Sequence, residues 1–298
     1  MIRFIDHNEI ILDTQKGLMW SKNASLSYFP MTWNEALVFV KELNHAKFSG
    51  YSDWKIPNRK EFFSLISHET INPCLPHPHP FIDVFNGYYW TSTSSARLPK
   101  QAWYIHLGGA RVFSGIKDSS YMVWPVRIAE NFDTQIFQTG QRNCYSETGD
   151  IIGCDNTGQD GEFQSGLPRN EPRFKEYAYL VNDNATGLTW LKDANFNQDM
   201  LDWQGALNLV EKMNRESAYG HNDWRLPSIL ELESLTDMSR HSPALPAANP
   251  FINVQDFYWS STTSMYEPRY AWALYMRDGG VGVGFKPLSE FYLWPARN

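Results

Sequence analysis

The residue types that could do chemistry in this chain stand in a few places. His77-Pro78-His79, with His68 nearby, offers imidazole nitrogens of the kind that hold zinc and related metals. Asp155, Asp160 and Glu162 offer the hard carboxylate oxygens that calcium takes. Trp90-Thr91-Ser92-Thr93 and Trp259-Ser260-Ser261-Thr262 carry hydroxyls that an adjacent base would turn into nucleophiles. Tyr104, His106, Arg111 and Tyr121 in the first half, and Tyr266, Arg269, Tyr270, Tyr275, Arg277 and Asp278 in the second, offer wide contact area with directional hydrogen bonds. That is the chemistry of recognition.

Most of these weaken on inspection. Counted from Asp155, the sixth position is Asp160 rather than the glycine an EF-hand needs, and the odd positions carry Thr157 and Gln159. Calcium is therefore a weak expectation, and a polar, Gly-rich linker explains the same letters. The second half has only His241 in the region of the histidine cluster, and the prolines suit an exposed loop. No metal and no other cofactor is expected. No His or acid recurs near the hydroxyl segments in both halves, so they read as side-chain hydrogen bonds in a strand. An enzyme with one active and one structural half would be sought first at His77, His79, Glu61 and Glu69.

Half is the operative word, because the chain repeats itself. Gly17-Leu18-Met19-Trp20 matches Gly187-Leu188-Thr189-Trp190 at an offset of 170. The same offset relates Asp53-Trp54-Lys55-Ile56-Pro57 to Asp223-Trp224-Arg225-Leu226-Pro227, and Trp124-Pro125 with Arg127 to Trp294-Pro295 with Arg297. Tyr89-Trp90 matches Tyr258-Trp259 at 169, so one indel lies before Trp90 and an opposite one before Trp124. Repeats this long are whole domains rather than solenoid units. The expected division is 1–129, an irregular linker 130–176, and 177–298. The shared residues are mostly Trp, Gly and Pro, and shared polar residues are nearly absent, which argues against catalysis. Arg127 and Arg297 are expected to pair with Asp53 and Asp223.

The elements that must position the tyrosines follow from pattern. Thr32-Trp33-Asn34-Glu35 has the form of a capping box, and Ala36, Leu37, Val40 and Leu43 continue at helical spacing. Asp202 caps the counterpart. A second cap, Asn58 with Glu61 or Ser228 with Glu231, opens a second helix in each half. The last third reads as an antiparallel meander that runs from Tyr88 to Ile128 in copy one. Alternation puts Trp103, Ile105 and Leu107 inward and Tyr104 and His106 outward; Trp272, Leu274 and Met276 are inward and Ala273, Tyr275 and Arg277 outward. The fold class is α+β, each domain having two helices and a β meander.

Composition is that of a folded protein, with 42% hydrophobic residues and a mean hydropathy of −0.46. A net charge of −7 argues against a nucleic-acid partner. No apolar run is long enough for membrane insertion. The first residues lack a signal-peptide pattern, so a cytoplasmic location is the reading if Met1 is the native start. Of the three cysteines, Cys144 and Cys154 could close a small loop in an oxidising compartment or stand as inert thiols.

The ordered series Gly-Leu-x-Trp, Trp-x-x-Ala-Leu, Asp-Trp-Lys/Arg-x-Pro, Trp-x-Ser-Thr and Trp-Pro-x-Arg resembles the Lcl-type C-terminal domain family of collagen-like bacterial adhesins. It covers roughly residues 3–128 and 177–298, and Thr139-Gly140-Gln141 with Thr157-Gly158-Gln159-Asp160-Gly161-Glu162 resembles an element that often precedes such a domain. The resemblance implies two tandem C-type-lectin-like domains and a stable scaffold with a variable ligand surface. It also implies an extracytoplasmic alternative for location. The Glu-Pro-Asn and Trp-Asn-Asp signatures of calcium-bridged sugar binding are missing. The functional expectation is a non-catalytic module that binds a glycan or a protein; the competing readings are the half-active enzyme and a structural or assembly subunit of a bacterial or phage complex.

Overall fold

Each copy begins and ends in the same small sheet. In the computed structural model, which describes residues 2–130, 132, 134–168 and 171–298, β1 (Phe4–His7), β2 (Ile10–Asp13) and β3 (Leu18–Ser21) run antiparallel. The closing strand β7 (Val126–Ile128) pairs with β3, Trp20 opposite Val126. Copy two repeats this with β10 (Phe174–Glu176), β11 (Leu180–Asp183), β12 (Thr189–Leu191) and β16 (Ala296–Arg297). The chain separates into the units Met1–Pro168 and Arg169–Asn298. The segment 130–176 therefore divides: residues 134–168 lie in the first unit, and β10 opens copy two's sheet.

Shared ion pairs tie this sheet to the rest of each copy. Arg3 bonds the buried Asp13 at 2.7 Å and the Ser64 carbonyl at 2.9 Å; Arg173 bonds Asp183 at 2.6 Å and the Ser234 carbonyl at 3.0 Å. Arg127 and Arg297 each donate from Nε at 2.7 Å to Asp53 and Asp223, as the repeat leads one to expect. Shared polar residues are thus more numerous than the sequence reading allowed, and these ones stitch the fold.

The helices start where their caps stand. In α1 (Trp33–His45) the Thr32 side chain accepts from the Glu35 amide while Glu35 accepts from the Thr32 amide, and α4 (Trp203–Arg215) is capped by Asp202. The short α2 (Arg59–Leu65) and α5 (Ile229–Ser234) have complete capping boxes from Asn58–Glu61 and Ser228–Glu231. Between helices and chain end come antiparallel meanders: β4 (Tyr88–Ser94), β5 (Gln101–His106) and β6 (Arg111–Ile116), then β13 (Phe257–Thr263), β14 (Tyr270–Tyr275) and β15 (Gly280–Phe285). The class is α+β. The segment expected to end the meander, Tyr121–Ile128, does not extend it: Tyr121 bridges Met31, Met122 bridges Tyr89 in parallel, and Val126–Ile128 joins the first sheet.

Both faces of each meander are covered. One carries α2 or α5. The other packs on α1 or α4, through Trp33, Ala36, Val40, Trp90 and Ala102 in copy one and Ala206, Val210, Trp259, Ala271 and Ala273 in copy two. The phase read as outward is therefore largely core: Ala273 is fully buried. Alternation names the two sides of a strand but not what lies over each.

Tryptophans lock the irregular stretches to these layers. Trp33, Trp54, Trp90 and Trp124 donate their indole N–H to the carbonyls of Thr91, Phe48, Met31 and Ser21 at 2.8–3.0 Å. Trp203, Trp224, Trp259 and Trp294 do the same to Ser260, Ala218, Leu201 and Leu191 at 2.8–2.9 Å. Close ring packing also demands small residues opposite. A Cβ on Gly284 would lie 2.2 Å from Phe291 and 2.5 Å from Trp259, and one on Gly115 would lie 2.8 Å from the Tyr121 hydroxyl.

Gly284→Ala is expected to cost about 1–3 kcal/mol by overpacking, whereas Gly153→Ala, which meets nothing within 4 Å, should stay within about 0.5 kcal/mol of wild type. Chemical denaturation of both variants checks this.

Candidate functional site

In copy one the meander's α1 face runs on past the helix as a cluster of half-buried rings. Tyr88 stands opposite His106 in the strand register, so their rings meet at 4.7 Å, and Tyr88 also contacts Tyr104 and Tyr121 at 5.1 Å each. Tyr104 and Tyr121 contact each other at 5.1 Å, and Tyr121 rests on Trp90 at 4.3 Å. Arg111 is exposed and lies across from His106 on β6. Tyr104, His106, Arg111 and Tyr121 are thus brought together. Tyr88 was missed as a site residue, although its place opposite His106 is the signal that finds it.

The rings of this cluster are neutral, with the Arg111 cation beside them. Burial pushes the Tyr104 phenol up to about 12, with Tyr121 and Tyr88 adding to the shift and Arg111 opposing it. Burial, with Arg111 beside it, holds the His106 imidazole below its ordinary value, so it is neutral at pH 7. Such a surface can stack on a flat apolar face and offer hydroxyls to its edges.

In copy two the same place is filled differently. Phe257 stands for Tyr88, Tyr275 for His106, Ala273 for Tyr104 and Phe291 for Tyr121. The rings of Phe257 and Tyr275 meet at 5.1 Å, Phe291 lies about 6 Å from each, and the Arg277 guanidinium sits 5.8 Å over Phe257. Asp278 turns its carboxylate onto the Gly280 amide. Tyr266, Arg269 and Tyr270 do not join this group. They lie at the far end of β14, roughly 17 Å away at strand rise, and Tyr270 has the opposite phase to Tyr275. There Arg269 pairs with Glu267 at 3.1 Å, and Tyr270 packs on Phe285.

The other candidates are placed elsewhere. Glu61 is buried in its capping box and paired with Lys55. Glu69 and His77 are exposed, His68 packs on Phe63 with burial pushing it down to about 4, and burial lowers His79 as well. Among the described residues no group of three or more His, Cys, Asp or Glu could hold a metal ion. Glu162 accepts from the Asn156 and Gly158 amides.

Asp160 is no solvated linker residue. Residues 134–168 form a small cap on copy one, with β8 (Cys144–Tyr145) against β9 (Ile151–Ile152), a Cys144–Cys154 disulfide, and the single-turn α3 (Asp160–Phe163). One Asp160 oxygen accepts from the hydroxyls of Thr93 and Thr139, both at 2.7 Å. Gln141 pairs with the Ser94 backbone like a strand, accepting from its amide at 2.8 Å and donating to its carbonyl at 2.7 Å. Asn58 donates to the Ser165 carbonyl. The Lys117 ammonium, over the Trp33 ring, donates to the carbonyls of Tyr145 and Ser146, and burial pushes it down to about 8.

Burial raises the Asp160 carboxyl to about 6, the two hydroxyls and Lys55 opposing and Glu61 adding to it. Its folded value lies above its unfolded one, so its contribution is fully present below about pH 4 and is lost as pH rises through about 6. That contribution is on the order of 2–3 kcal/mol. His68 acts in the opposite sense over the same range, so variant and wild type are compared at each pH. Asp160→Asn, measured by denaturation, should gain on the order of 2 kcal/mol against wild type between pH 4.5 and pH 7.5.

Residues 9–127 and 179–297 each match the model of a family described as the Lcl C-terminal domain. No curated protein matches the chain.

Proposed function

Because the chain belongs to the Lcl C-terminal domain family in both of its halves, we propose that it is a non-catalytic ligand-recognition protein on a duplicated C-type-lectin-like scaffold. The ligand is a glycan or a protein, and the family's link to collagen-like adhesins makes attachment to a surface the process it serves. One observation carries this reading. At one place on a shared frame the copies present different contact chemistry, Tyr88, Tyr104, Tyr121 and His106 in one and Phe257, Tyr275 and Arg277 in the other. Divergence at a half-exposed aromatic patch above a frame that agrees is what recognition of different ligands would produce. The enzyme reading lacks comparable support, since Glu61, Glu69, His77 and His79 are dispersed in capping, solvent and loop roles.

The Cys144–Cys154 bridge supports an oxidising compartment. No helix among the described residues is long and apolar enough to cross a membrane.

Glycan-array and pull-down binding on a small set of variants tests the proposal. Tyr88→Ala, Tyr104→Ala, Tyr275→Ala and Arg277→Ala should each weaken the ligand of their own copy by on the order of 1–2 kcal/mol with the fold intact. Trp272→Ala should instead cost about 3–5 kcal/mol of stability by opening a cavity in the core. Wild-type binding by all four surface variants, with an identified ligand still engaged, would move the site elsewhere.

A further inference from the structure

Apart from the aromatic patch, copy one's frame carries a covered surface whose counterpart in copy two is less buried. The cap of residues 134–168 covers the outer side of β4: Ser92, Thr93 and Ser94 are all buried, as are Trp33 and Lys117. Their counterparts at the 169 and 170 offsets are Ser261, Thr262, Thr263, Trp203 and Lys286. Ser261 is exposed and the other four are half-buried.

The recognition groups are nonetheless set in the same geometry. The Thr93 hydroxyl accepts from the Arg59 amide at 3.0 Å and gives its proton to Asp160; the Thr262 hydroxyl accepts from the Ile229 amide at 3.1 Å, and no described residue takes its proton. Lys117 and Lys286 both stand 4.1 Å over their tryptophan rings. Lys117 spends its protons on two carbonyls of the cap, whereas Lys286 falls back on the Thr263 hydroxyl at 2.8 Å. On α5 the residue after Ile229, Leu230, lines a cleft of about 470 Å³ with Gly187, Leu188, Glu231 and Ser234. Leu230 is 54% exposed where its counterpart Lys60 is 6% exposed.

We propose that copy two presents a docking surface, made by β13 from Ser261 to Thr263 with Trp203 and Lys286, for a polar peptide segment of the kind copy one already holds. Copy one displays the chemistry of that occupant: a side-chain amide paired with the Thr263 backbone, a carboxyl group on the Thr262 hydroxyl, and main-chain carbonyls on Lys286. The chain's own segment is seated on copy one, so the occupant is a disulfide-closed segment of this chemistry on another protein. The surface is distinct from the aromatic patch, and either assignment can fail without the other.

The test titrates the full chain with a synthetic, disulfide-closed peptide of residues 134–168. One peptide should bind per chain. Thr262→Val or Lys286→Glu in the chain, each checked by thermal melt, should weaken binding about tenfold or more, and Gln141→Leu in the peptide should do the same. Tyr275→Ala should leave it unchanged. Absence of binding up to roughly 1 mM would overturn the proposal, as would binding indifferent to the copy-two variants, which would mean exchange onto copy one. Self-association of the chain lost in Lys286→Glu would also overturn it, because the occupant would then be a second copy.

Discussion

Eight of the twelve indoles give their N–H to a backbone carbonyl, and in this protein those bonds hold the irregular segments to the sheets. Indole donors occur in four matched pairs, and in each pair the acceptor carbonyl lies the same distance along the chain to within one residue. Trp124 and Trp294 reach back 103 residues to the end of the first sheet. Trp33 and Trp90 join α1's start to β4 in both directions, and Trp203 and Trp259 repeat this in copy two. A carbonyl left without such a donor in this dry interior would cost about 1–3 kcal/mol. Long loops with little regular structure are fixed in this way, and the aromatic patch and the capped strand edge both sit on ground so fixed.

The same frame supports different surfaces because the stitching groups and the contact groups are different residues. Indoles, Arg–Asp pairs and capping boxes recur between the copies. The rings above the sheet change from Tyr88, Tyr104 and Tyr121 to Phe257, Ala273 and Phe291 without moving the strands. The cap follows this logic too. Thr93 and Thr262 keep one backbone bond in common, and only copy one has an acid to meet the hydroxyl.

Much of this was legible in the sequence because it rests on short-range signals or on the repeat. The N-caps placed the starts of α1, α2, α4 and α5 but not of the single-turn α3, and the 170 offset put Asp53 with Arg127 where Asp223 stands with Arg297. What stayed hidden depends on packing between distant segments. Alternation put Tyr104 and Ala273 on the face opposite Trp103 and Trp272, but nothing local says that α1 or α4 covers most of that face. Tyr266, Arg269 and Tyr270 carry the right chemistry at the wrong end of β14. Residues 139–162 look solvated because they are polar and Gly-rich, and many are exposed; Thr139, Gln141, Gln159 and Asp160 are buried all the same, because their polar groups bond one another, the Tyr145 backbone and the strand edge. Arg3 and Arg173 stood in register all along, outside the motifs that marked the repeat.

Hydrogen exchange at the tryptophan indoles reaches the central claim most directly, since each side-chain N–H can be followed by itself. The indoles of Trp33, Trp54, Trp90 and Trp124 should exchange only with global opening of the first unit, and those of Trp203, Trp224, Trp259 and Trp294 only with opening of the second, with opening free energies equal within each set. Exchange of any of these on the timescale of an exposed indole, while the strands stay protected, would contradict the view that indole-to-carbonyl bonds hold the loops in place.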